Sequence, residues 1–128
     1  MNGRITTSIE TEKKIIELQK ILRLSTKASI MRIGLGISLN IESDPREEIE
    51  EQDHNGATYQ IVTITGDKFD LYKALIIKHL NYSKLDDNEI VDLIIAHISR
   101  GIGMLYTEYQ LKGNYNKLID YIFKFMEV

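Results

Sequence analysis

Polar and apolar residues alternate from Arg4 to Ile9, with Arg4, Thr6 and Ser8 on one side and Ile5, Thr7 and Ile9 on the other, which is the two-residue period of a strand. From Thr11 the period lengthens. Ile15, Leu18 and Leu22 fall on one face of a helix, with Lys13, Glu17 and Lys20 off that face, and Thr11 is the expected cap. Leu24-Ser25-Thr26 breaks this helix, and Ser25 or Thr26 caps a second one, running to Leu39, with Ile30, Ile33 and Ile37 at helical spacing. A strand this short needs a partner, either in a second chain or in the next strand candidate far downstream, and the pattern does not choose between them.

The segment Asn40 to Gly56 reads as a loop, with one helical turn expected at Arg46 to Glu51; it holds the single proline, Pro45, and ends in the turn signal Asp53-His54-Asn55-Gly56. Thr58 to Thr65 is rich in β-branched and aromatic residues and is expected to be a strand. Asp67 then caps a helix to Leu80 whose core stripe is Phe69, Tyr72, Ile76 and Leu80. Asp86-Asp87-Asn88 opens a longer helix, its acidic start matched to the helix dipole. The apolar positions of this helix, Ile90, Val91, Leu93, Ile94, Ile95, Ile98, Ile102 and Leu105, cover much of its circumference, so it is expected to be central or to lie in a subunit interface. Lys112-Gly113-Asn114 ends it. Tyr115 to Phe125 forms a last helix, with Leu118, Ile119, Ile122, Phe123 and Phe125 expected to face a partner surface. The fold class is mainly α, a bundle of about four long helices with minor short strands, in one domain over residues 1–128.

Composition narrows the class. A hydrophobic content of 43% with 27% charged residues is ordinary for a folded domain. Unbroken apolar runs such as Ala74-Leu75-Ile76-Ile77 are far shorter than the roughly 20 residues a bilayer span needs, and the N-terminus has no signal-peptide pattern, so no membrane and a cytoplasmic location are expected. The absence of cysteine excludes disulfides, thiolate metal sites and a persulfide-carrying residue. The net charge of -3 argues against nucleic acid only until its distribution is read. Residues 1–40 hold seven basic side chains against three acidic ones, whereas 41–56 hold one against seven. The N-terminal third is a basic block on an acidic chain.

Lysines and arginines on amphipathic helices are commonly just the solvated face. Their concentration here points further, to an electrostatic footprint for phosphates made by Arg4, Lys13, Lys14, Lys20, Lys27 and Arg32, with the amides at the start of the second helix joining Lys27. His54, His79 and His97 share no metal-ligand spacing, and His97, beside the apolar stripe of the long helix, reads as a hydrogen-bonded interior residue. Gly101-Ile102-Gly103 lacks the third glycine and the lysine of a phosphate loop. It reads as a place where a neighbouring helix comes close, with Gly34 and Gly36 doing the same on the second helix and Arg100 projecting from the contact. No catalytic constellation, metal or cofactor is expected.

The strand–helix–helix order of Arg4 to Leu39 is also the plan of ribbon-helix-helix repressors, in which two chains pair their strands and read base edges, here with Arg4, Thr6 and Ser8. Three longer stretches carry a different resemblance: Leu24 to Leu35 after a basic first helix, Thr65-Gly66-Asp67 leading into Tyr72-Lys73-Ala74-Leu75, and Ala96 to Leu105. In order and spacing, over roughly residues 4–106, they resemble the DndE proteins of bacterial DNA phosphorothioation, in which sulfur replaces a nonbridging phosphate oxygen. The resemblance implies a small, non-catalytic, helical accessory subunit. It implies a tetramer that binds duplex DNA, preferentially nicked, through surface lysines, with sulfurtransferase-like and ATPase subunits as companions. The matching basic positions are Lys13, Lys14 and Lys27, followed by Lys20 and Arg32. The alternatives are a repressor using the strand for base readout and an oligomeric protein-interaction scaffold without DNA binding.

Overall fold

The structure is a computed structural model and describes residues 3–48, 52–81 and 84–125. Its elements in chain order are β1 (Arg4–Thr6), α1 (Ile9–Leu22), α2 (Lys27–Leu39), α3 (Pro45–Glu48), β2 (Thr58–Gln60), α4 (Ile61–Thr65), α5 (Phe69–Leu80), α6 (Asp87–Lys112) and α7 (Tyr115–Lys124). The fold is mainly α, as the apolar periodicity requires.

The short N-terminal strand finds its partner inside the chain. β1 runs antiparallel to β2, with Arg4 opposite Gln60, Ile5 opposite Tyr59 and Thr6 opposite Thr58. The ribbon that repressor modules form between two chains is formed here within one, and the Thr6 hydroxyl is already hydrogen-bonded to that of Thr58 at 3.0 Å. Strand character ends earlier than the alternation does, because Ser8, not Thr11, caps α1: its side chain accepts from the Thr11 amide, and Ile9 and Glu10 enter the helix. Thr26 caps α2 in the same way, through the Ser29 amide.

The expected strand over Thr58–Thr65 is cut at Gln60, and Ile61–Thr65 is helical. The reason lies in spacing: Ile61, Ile64 and Thr65 are buried while Val62 and Thr63 are exposed, an i, i+3, i+4 pattern that a strand cannot bury on one side. Asp67 does not cap α5; Lys68 holds that position without a side-chain hydrogen bond. The helical turn after Pro45 is present as α3, and residues 49–51, where the expected turn was to continue, lie outside the described residues.

The centre of the molecule is α6. Asp86 caps it, its first turn carries Asp87 and Glu89, and Gly113 in a left-handed conformation ends it. Ile90, Leu93, Ile94, Ile98, Ile102 and Leu105 are fully buried against α1, α2 and their neighbours. Among the described helices α6 is the one long and apolar enough to cross a bilayer, and 61% of its most apolar stretch is buried inside the fold. Six of the eight apolar positions named for this helix are therefore covered by this chain, and Val91 and Ile95 are partly buried. On α7, Leu118 is fully buried, Ile119, Ile122 and Phe125 are partly so, and only Phe123 of the expected partner-facing set is exposed.

α2 lies along α6 at very close range. A Cβ on Gly101 would sit 1.7 Å from the Gly34 carbonyl oxygen, so these two glycines let backbone meet backbone. Gly36 and Gly103, expected to do the same, face open space.

Candidate nucleic-acid interface

The six basic residues singled out by sequence do not form one patch. Lys13 and Lys20, seven residues apart, share the outer face of α1, and both are exposed. Arg4 is exposed at the start of β1. Lys14 lies a quarter-turn away from Lys13; it is half-buried, with its ammonium 5.6 Å from the centre of the Tyr106 ring, and it borders a cleft that also holds Glu10, Glu108 and Tyr121. It belongs to the packing of α1 on α6 more than to the outer face. Arg32 is exposed on α2, where its guanidinium donates to the Ile64 carbonyl at 3.1 Å and steadies α4.

Lys27 is the most constrained of the set. Its ammonium donates to Glu12 Oε2 at 2.9 Å, and Glu12 also accepts from Tyr59 Oη at 2.8 and 2.9 Å and from Thr7 Oγ1 at 2.8 Å. Burial alone pushes the Glu12 carboxyl upward, but the bonds from Lys27, Tyr59 and Thr7 outweigh it and hold the group below the usual carboxylate range. Tyr59 is pushed the other way, by burial and by the Glu12 charge beside it. One carboxylate thus ties the first residue of α2 to α1, to the residue that follows β1 and to β2. No sequence signal announces this, since Lys27 and Tyr59 stand 15 and 47 residues from Glu12.

Lys13 and Lys27 flank a shallow groove of about 270 Å³ whose other walls include Ile9, Ile16, Asn55 and Gly56. The amide end of α2, capped by Thr26, opens beside Lys27. An anion lying here would meet two ammonium groups, one free to move and one held in place, and the positive end of a helix dipole. Glu12 sits in the same groove and neutralises part of the Lys27 charge, so the local field is weaker than a count of lysines suggests.

The histidines are placed elsewhere. His54 is exposed on the rim of a cleft of about 490 Å³ lined by Thr6, Ser8, Arg46, Asp92 and Ser99. His97 is wholly buried, as expected, with Nδ1 2.7 Å from Ser38 Oγ. His79 bonds through Nε2 to the Ile41 carbonyl and sets its ring edge-on to that of His97, centroids 4.7 Å apart. Arg100 does not project from the helix contact. It is buried, and it donates to Ser38 Oγ at 2.7 Å, to the Ser38 carbonyl at 2.8 Å and to the Ser43 carbonyl at 2.9 Å, tying the end of α2 and the loop after it to α6. Burial, reinforced by His79 and by the Arg100 charge, drives the His97 imidazole down to about 3, so it is neutral. This cluster builds the fold and offers no cationic surface.

Among solved structures, the fold is similar to that of DndE from Escherichia coli B7A, involved in DNA phosphorothioation modification, with a TM-score of 0.63 at 18% identity over 80% of this chain and 97% of that one. A DndE mutant carrying glycine-to-lysine changes aligns with a TM-score of 0.59, again at 18% identity, over 81% of this chain and 96% of that one. No curated protein matches the chain. The family of DNA sulphur modification protein DndE matches residues 4–113, from the first residue of β1 to the glycine that ends α6. The match leaves out α7 and spans nearly everything else, and the chain belongs to that family.

Proposed function

We propose that this chain is a non-catalytic, DNA-binding accessory subunit of a bacterial DNA phosphorothioation system. It acts in the cytoplasm as a homo-oligomer, a tetramer, beside sulfurtransferase-like and ATPase subunits. Family membership over residues 4–113 is the observation that carries the reading. The chain's own chemistry supports it: no cysteine is available to relay sulfur, and residues 1–40 carry seven basic side chains against three acidic ones on an otherwise acidic chain. Within that third, Lys13, Lys20 and Arg4 are the phosphate contacts, Lys27 and the amide end of α2 position one phosphate, and Arg32 and Lys14 stand at the margins.

Binding of nicked and intact duplexes, followed by anisotropy from low to moderate salt, tests the proposal. Each phosphate contact contributes about -0.9 to the slope of log K against log salt. A protein that binds with a slope of about -2 to -4, and favours the nicked duplex, fits the reading; a flat salt response overturns it. Changing Lys13 and Lys20 together to glutamate removes about two contacts from that slope, while Lys14→Glu leaves it nearly unchanged.

A further inference from the structure

We propose that the outer face of α5 is where two copies of this chain meet, packed antiparallel about a two-fold axis; this rests on the homo-oligomer reading above and gives that oligomer a location. α5 is apolar on two sides. Its inner side holds the fully buried Ile76, with Phe69, Tyr72, Ile77 and Leu80 packed around it. On the opposite side Leu71 is 54% exposed and Leu75 41% exposed, with Ala74 between them and Lys78 one turn beyond. Positions i, i+3, i+4 and i+7 share one face of a helix, so Leu71, Ala74, Leu75 and Lys78 form an exposed stripe that none of the described residues covers.

Charge decides what covers it. Asp67 and Asp70 lie at the N-terminal end of α5 and Lys78 in its last turn, all exposed and without an ion pair among the described residues. A second copy laid parallel sets like charges together. Laid antiparallel and centred on Ala74, it brings Lys78 of each copy opposite Asp70 of the other, opposes the two helix dipoles, and meets leucine with leucine over the small Ala74. A two-fold interface must be complementary to itself, and an apolar centre with an acidic and a basic end has that property. A tetramer of two-fold symmetry needs two such interfaces; this is one of them.

The chain has no cysteine, so Ala74→Cys supplies a single thiol that faces its own copy across the axis. In the full-length protein, a short bis-maleimide should convert most of this variant to a covalent dimer, whereas Asn116→Cys, exposed on α7, stays monomeric on a denaturing gel. Lys78→Asp should weaken the dimer about tenfold by sedimentation, and adding Asp70→Lys should restore it, with circular dichroism checking that each variant stays folded. If light scattering shows an oligomer but Ala74→Cys does not cross-link and Lys78→Asp keeps full affinity, the copies meet elsewhere: this inference falls and the homo-oligomer stands. A monomer at about 100 µM, well above the range of typical specific association, overturns both.

Discussion

The pair α2–α6 and the helix α5 solve the same problem in opposite ways. Between α2 and α6, Gly34 and Gly101 let backbone touch backbone, and Ile30, Ile98 and Ile102 beside them are fully buried. α5 reaches the same core through one fully buried residue, Ile76, and keeps two leucines in water. Stability is therefore concentrated at the centre, where geometry is unforgiving, and the edge retains apolar surface that a tightly packed helix would have consumed. A chain of this size can hold a rigid centre and still leave an apolar face exposed.

The sharpest way to break that contrast is Gly101→Ala. A methyl group 1.7 Å from the Gly34 carbonyl must push two helices apart, and the expected loss is about 3 kcal/mol or more, enough to leave the variant largely unfolded in urea titrations. Two residues on, Gly103→Ala meets nothing within 4 Å and should stabilise the same helix by about 0.5–1 kcal/mol. Equal effects from the two changes would mean that close approach is not what Gly101 serves. Next is Arg100→Met, which keeps the aliphatic stem but removes the buried hydrogen bonds to Ser38 Oγ and to the Ser38 and Ser43 carbonyls; about 2–3 kcal/mol should be lost in the same titration.

A smaller effect comes from pH. His97 is held well below its unfolded value of 6.5, so its contribution is complete above pH 6.5 and is lost as pH falls toward 3, the unfolded chain taking up a proton that the folded chain refuses. Between pH 6.5 and 5.5 stability should decline by up to about 1.4 kcal/mol, and His97→Gln should flatten that decline. Smallest of all, Leu71→Ser at the edge should leave unfolding within about 0.5 kcal/mol of the parent, although it removes apolar surface from the proposed contact between copies.

The same contrast explains what was legible. Periodicity placed α1, α2 and α6 because each buries a stripe, and a stripe is written in sequence as spacing. It failed at Ile61–Thr65, where β-branched residues favour a strand locally but burial at i, i+3 and i+4 wins. For Ile90–Leu105 the sequence left two places open, the centre of the fold or a subunit interface, because a pattern can say that a surface is apolar without saying which chain covers it; burial puts the helix at the centre. The basic block was legible as composition, yet not its division: Lys27 tied to Glu12, Lys14 against Tyr106, Arg32 bonded to Ile64, with Lys13, Lys20 and Arg4 left on the outside. Those assignments depend on residues brought together from distant parts of the chain. Arg100 shows the same limit, since its acceptors lie about sixty residues away.

The meeting of Gly34 with Gly101 also works as a detent. Sliding α6 along α2 by one turn in either direction would bring His97 or Leu105 to the place where even a methyl group does not fit. Intermediate registers are closed as well, because neither helix has a second glycine facing the other. The two helices have one seat, so they dock in that alignment or stay apart, and a half-slid, loosely collapsed intermediate has nowhere to rest.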